Sequence, residues 1–229
     1  MDFNIAFRYL PDLLSGLVQT AFLSIEVIIF GTLIGLAFVP FRIAHNPVIS
    51  WGAWILINPF RIVPVLVLLV WGFYSIPMGF GIRLEPWWVA VICLGLNMGA
   101  FSVEIFRKAV EEVPAEHVEA AQLLGFKRIA VWRKIILPLA FRNASIPYLN
   151  QVLQTIKLTV LAAIISVREV YHVAADVIQQ TNKPLEMYTM LAILLFVPLL
   201  SITIVVEWAE RRVGGSGRIK KWSWLWGNQ

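Results

Sequence analysis

The chain has 229 residues, of which 59% are hydrophobic and only 14% charged, whereas soluble domains carry roughly 25% charged residues. So apolar a composition excludes an ordinary water-soluble domain, and the formal net charge of +5 is explained by basic loops between apolar runs rather than by a nucleic-acid-binding face. The single cysteine, Cys93, excludes a disulfide framework within one chain and a multi-cysteine metal site, and is read as a small packing residue.

Five runs are long enough to cross about 30 Å of hydrocarbon. The first covers 13–25 and continues past Glu26 to 39. It opens on Asp2 and Asp12 with Arg8 as its one base, so it is read as a span and not as a cleavable signal. The second, 51–60 with 62–82, is interrupted by Arg61 between Pro59 and Pro64. A charge at a helix centre costs about 2.5–3.5 kcal/mol, and proline-broken backbone at membrane depth is tolerated only inside protein or against a cavity. Two roles for Arg61 follow: a guanidinium fork for a substrate carboxylate, or an ion pair with Glu26 that holds two spans together.

The third run is 86–103. After it, the only sizeable polar insert, about 107–141, carries Glu111, Glu112, Glu116 and Glu119 in its first half and Lys127, Arg128, Arg133 and Lys134 in its second. Pro114, the early acids and Gly125 predict a helix over about 114–124 that stops at the glycine. Val118, Ala121 and Leu124 or Gly125 recur at helical spacing, a narrow face suited either to a partner's groove or to rest on the chain's own spans.

The fourth run, 143–156 with 158–167, is interrupted by Lys157 and carries Asn150, Gln151, Gln154, Thr155 and Thr159. Amides facing lipid are unfavourable, so this stripe should face a dimer axis or a pathway. The fifth run is 187–206. In the tail, 213–229, a Gly214-Gly215-Ser216-Gly217 linker leads to Arg218, Lys220 and Lys221 beside Trp222, Trp224 and Trp226, a composition expected of an interfacial anchor.

The central insert and the C-terminal segment hold most of the Lys and Arg, whereas the alternate segments hold only Arg8, Arg83, Arg168 and Lys183. The positive-inside rule therefore places the N-terminus outside and the C-terminus in the cytoplasm. There is no Gly-Lys dipeptide and so no P-loop. His45, His117 and His172 stand on separate segments without metal-ligand spacing. The chain reads as an all-α membrane protein and not as an enzyme.

Within the central insert, Glu119-Ala120-Ala121, Gly125, Ile135, Leu137 and Pro138 form a pattern with a chance probability of about 10⁻⁸ per start position. The segment resembles the EAA motif of binding-protein-dependent ABC transporter permeases. Asn97, Gly99-Ala100, Glu104-Ile105-Phe106-Arg107, Val113-Pro114, Ile165-Ser166-Val167 and Glu169 extend the resemblance to the polar amino acid uptake subfamily. The resemblance implies a type I ABC importer permease fold of five transmembrane helices over 1–212, in a bacterial inner membrane. It assigns ATPase coupling to a helix at about 114–125, through Glu119, Ala120, Ala121 and Gly125. It also implies two ABC ATPase subunits that carry ATP and Mg, no cofactor in this chain, a second permease subunit, identical or homologous, and a periplasmic or extracellular solute-binding protein.

Arg61, Asn97, Gln151, Gln154, Lys157 and Thr159 are the candidate substrate-pathway residues. The subfamily commonly has Arg-Gly-Thr-Pro and Lys-Asp-Thr-Ser where this chain has Arg61-Ile62-Val63-Pro64 and Lys157-Leu158-Thr159-Val160. Two explanations stay open: an amino acid derivative as cargo, or a heterodimer whose other permease holds the substrate. The loss of both a hydroxyl and a carboxylate favours the heterodimer. A self-contained secondary transporter or channel is the alternative class; it would show inverted repeats or carboxylates within the spans, and only Glu26 stands there.

Overall fold

The computed structural model describes residues 3–213, in which helices and short connections account for the chain. The anchor expected of the Trp-rich tail therefore lies outside the described residues from 214 onward. In chain order the helices are α1 (Phe3–Arg8), α2 (Leu10–Arg42), α3 (Pro47–Ile57), α4 (Pro59–Ile62), α5 (Val65–Phe80), α6 (Pro86–Glu111), α7 (Ala115–Leu123), α8 (Arg128–Val131), α9 (Leu137–Thr159), α10 (Val170–Thr181) and α11 (Pro184–Val213). A π turn, Trp132–Ile136, joins α8 to α9, and a 3₁₀ turn, Val160–Ile165, extends α9.

Among the described residues, four stretches are long and apolar enough to cross a membrane: Leu10–Arg42, Pro86–Glu111, Arg128–Ile165 and Pro184–Trp208. A fifth crossing exists if Pro47–Ile62 and Val65–Gly79 are taken together, and these are bent by 100° at the break. The second run is thus two helices at a corner, since the proline ring at 64 prevents α4 from continuing. The fourth begins earlier than expected: helix runs from Arg128 into the span without interruption, so the basic residues 128, 133 and 134 sit on the same rod as the polar stripe. A further element, α10, lacks the length of a span and escaped the hydropathy reading.

The packing is organised around α6, which shows different residues to α2 and to α5. Towards α2 it presents Gly95 and Gly99, and α2 presents Gly31 and Gly35 in return. An added Cβ at Gly31 would lie 2.8 Å from the Met98 Cβ, and one at Gly99 2.7 Å from the Ile34 Cγ2. This is a reciprocal small-xxx-small crossing, in which missing side chains let the backbones approach closely enough for dispersion to replace the hydrophobic drive that lipid cannot supply. Towards α5, Cys93 sits where a Cβ on Gly72 would fall, 2.7 Å from its Sγ, so the thiol packs as a small side chain.

The N-terminal half of α2 packs with α10 and α11 through Leu13, Val170, Val173 and Leu191. Gly16 leaves room for the Val170 Cα, 2.8 Å from where its own Cβ would be. Thr20 Oγ1 accepts the Val170 N–H at 3.1 Å, and Glu169 caps α10 by accepting the His172 N–H at 2.8 Å. Such a cap satisfies a donor that has no partner within the helix.

Candidate functional site

The polar insert folds back on itself. α7 runs Ala115–Leu123 with Glu116 in its first turn, and the chain reverses at Gly125, whose φ of +79° lies in the left-handed region. Phe126 N–H bonds to the Ala121 carbonyl at 3.1 Å and Gly125 N–H to that of Gln122 at 2.9 Å. This is the paired closure of a Schellman motif, which needs a residue tolerant of positive φ. The returning rod then brings Ile135, Pro138 and Leu139 opposite Ala120, Ala121 and Leu124 around an open hollow of about 540 Å³. The sequence interval from Ala120 to Pro138 is thereby explained: it is the path length from one wall of the hollow to the other.

Exposure divides the face formed by Val118, Ala121 and Leu124. Ala121 is 3% exposed and turned into the chain, and Val118 is half-buried. The apolar side chains presented outward are Leu123, Leu124 and Ile129, at 90%, 77% and 82% exposure. Glu119 and Ala120 are exposed beside them. The helix therefore rests on its own chain by one face and offers another.

The second region is the corner between α4 and α5. Because Pro64 has no N–H, the Phe60 carbonyl four residues earlier lacks its helical donor. The Asn97 side chain supplies one, its Nδ2 donating at 2.6 Å. Next to it the Arg61 guanidinium lies over the Phe101 ring, 5.2 Å from the centroid, and its Nε is buried with no hydrogen-bond partner. The Glu26–Arg61 ion pair is not formed. Glu26 accepts instead from the Trp87 indole N–H at 2.7 Å, which leaves the cation without a counter-charge among the described residues.

The stripe on α9 divides. Gln154 and Lys157 are exposed and Gln151 is half-buried. Thr159 is fully buried, with its hydroxyl 3.2 Å from that of Ser24 on α2, so it joins two helices instead of lining an open face. Of the six pathway candidates, Arg61 and Asn97 are brought together at the corner, Gln154 and Lys157 lie exposed on α9 with Gln151 half-buried on the same helix, and Thr159 is in the core.

A model of the "Binding-protein-dependent transport system inner membrane component" family matches residues 27–215. The chain belongs to this family. It is 28% identical to the nopaline transport system permease protein of Agrobacterium fabrum, over 94% of this chain and 97% of that protein. It is 29% identical to the glutamine transport system permease protein of Escherichia coli, over 93% and 97%. Among solved structures, an amino acid ABC transporter superposes with a TM-score of 0.87 at 26% identity, covering 93% of this chain and 99% of that one. The protein is a multi-pass permease component of an ABC importer, and nothing favours a self-contained transporter or channel.

Two charged sites in this permease escaped the sequence reading. Glu104 is 8% exposed and held by Arg42 and Arg107; its spacing to Arg107 and Glu111 on one helix face was the available signal. Glu169 is fully buried, and burial pushes its carboxyl up to about 7, against the opposing pull of the Tyr171 and His172 N–H groups and the Thr20 hydroxyl.

Proposed function

We propose that this permease imports amino acids or closely related compounds, with α7 as the helix through which partner ATPases act on it. The observation that carries the reading is the outward edge of the reversed insert: Glu119 and Ala120 exposed next to Leu123 and Leu124, on a helix fixed from behind by the Gly125 turn. Exposed leucines on a short helix are costly in water and complementary to a groove on another protein. Two ATPase subunits binding ATP and Mg supply the energy; this chain contributes the exposed Glu119, Ala120 and Gly125 to the grip, with Ala121 packed behind them as their support, and holds no cofactor. The N-terminus lies outside, where a solute-binding protein delivers cargo, and 1–212 acts as one membrane domain. Transport then requires that nucleotide state and cargo stabilise the inward and outward arrangements differently.

Support for the cargo class comes from the relatives, whose names include nopaline and glutamine transport, and from the uncompensated guanidinium of Arg61 at the corner, a group matched to a carboxylate. Asn97 positions it by holding the preceding carbonyl. Gln151, Gln154 and Lys157 face a second permease subunit, since a lysine and an amide directed to lipid would be unfavourable. Leu158 is partly buried against the core and offers no carboxylate to an amino group, which favours a homologous partner holding the fuller site.

Co-purification tests the grip. Ala120→Glu, which places a second acid on the exposed edge, is expected to reduce recovered ATPase roughly tenfold, as truncating or repelling an interface centre does. Recovery at the wild-type level would sink the role of α7. The wild-type preparation also reads composition: one permease species in two copies sustaining uptake would exclude the heterodimer.

A further inference from the structure

At the cytoplasmic ends of α2, α3 and α6, four charges and a serine form one bonded chain. Glu104 Oε1 accepts from Arg42 Nε at 2.9 Å, at the last residue of α2. Its Oε2 accepts from Arg107 Nε at 2.9 Å, and Arg107 Nη1 reaches Glu111 Oε1 at 2.6 Å, at the last residue of α6. On the other side, Arg42 Nη1 donates to Ser50 Oγ at 2.7 Å and to the Ser50 carbonyl at 3.2 Å. Ser50 Oγ donates back to the Arg42 carbonyl at 2.9 Å. The side chains of Arg42 and Glu104 are only 12% and 11% exposed.

Its position gives this chain of bonds a use. Glu111 is separated from α7 by only three residues, 112–114, and Ser50 lies on α3, about three helical turns before the corner that carries Arg61. The glycine crossing already locks α2 to α6, whereas the apolar contacts that hold α3 to α6 are few: Ala53 and Ile57 with Ala100 and Val103. Apolar burial is non-directional, so such surfaces can slide under load. Charge-assisted bonds of fork geometry fix orientation.

We propose that Glu104 is the positioning residue that makes α2, α3 and α6 move as one body when α7 is driven, so that the corner at Arg61 follows the ATPase. This rests on the role of α7 given above. The four charges cancel in pairs, which lets the group remain largely buried while retaining direction; the bonds at Ser50 are what admit α3 to the body.

The test uses the complete importer in proteoliposomes and reads solute taken up per ATP hydrolysed. Glu104→Gln is expected to lower that ratio roughly tenfold while hydrolysis stays within about twofold, in the range by which residues between coupled sites alter coupling. Ser50→Ala leaves the three ion pairs intact and removes only the hydroxyl bonds to α3; a roughly threefold lower ratio is expected, restored by Ser50→Thr. Uptake and hydrolysis falling together in both variants, with the ratio unchanged, would show a merely structural role and overturn the proposal. If Glu104→Gln does not assemble, the ratio for Ser50→Ala decides alone. Full ATPase recovery with Ala120→Glu would instead remove the reading of α7, whatever the ratios show.

Discussion

The two faces of α6 teach opposite lessons about membrane packing. Towards α2, Gly95 and Gly99 meet Gly31 and Gly35 at distances that leave no space for one methyl group. Towards the corner, Asn97 and Phe101 meet a carbonyl without a helical donor and a guanidinium without a counter-charge among the described residues. The first face is closed by shape and has one arrangement; the second is held by few directed contacts and keeps bonding capacity in reserve. A transporter needs both, because a cargo can bias only a part whose bonds are not already made.

The contrast can be broken most severely at Gly99. Gly99→Val puts branched methyls against Ile34 and the Gly31 carbonyl, and a loss of at least about 3 kcal/mol is expected, at the top of the range for overpacking; thermal unfolding in detergent measures it. Near-normal stability would show that the crossing yields more than its shape implies. A second large effect belongs to Glu169, where the start of α10 meets Thr20 of α2. Because the folded carboxyl of Glu169 lies at about 7 against an ordinary 4.5, the native state holds this proton more tightly than the unfolded chain does. Its stability is therefore fully present below about pH 4.5, falls as pH rises through the interval to about 7, and is level above that, by about 3 kcal/mol in all. Glu169→Gln should flatten the profile, and an unchanged slope would place the titration elsewhere.

Arg61 sharpens the contrast from the other side. Arg61→Gln should cost roughly tenfold in apparent cargo affinity, the scale of one lost charge-assisted bond, while leaving the unfolding temperature unchanged or slightly raised. Loss of stability comparable to Gly99→Val would mean that the cation holds the fold together and does not await a ligand.

Much of this was legible because membrane helices announce themselves locally. Charge-free runs mark the spans, the Pro59 and Pro64 pair marks the corner, and Gly125 marks a reversal, each requiring only neighbours in sequence. The glycine crossing was also written, as Gly31-xxx-Gly35 and Gly95-xxx-Gly99, although only the pairing shows that the two motifs face each other. What periodicity could not carry was the choice of partner across sixty residues or more. Glu26 takes the Trp87 indole instead of Arg61, and Thr159 turns to Ser24 instead of to the open stripe. Both choices depend on helix rotation, which a hydropathy pattern leaves undetermined when nearly every residue is apolar. The element α10 was hidden for the complementary reason: its length is that of a surface helix, not of a span.

The π turn at Trp132–Ile136 sets the phase of everything after it. One extra residue in a helical turn advances the following helix by about 100° relative to an unbroken rod. Ile135 and Pro138 meet the hollow beneath α7 while Leu137 turns outward, and the azimuth of Gln154 and Lys157 on α9 is inherited from that offset. The turn acts like a gear tooth between two dials: deleting a single residue within it would keep the span, the motif composition and the helix, yet rotate the polar stripe away from whatever it faces.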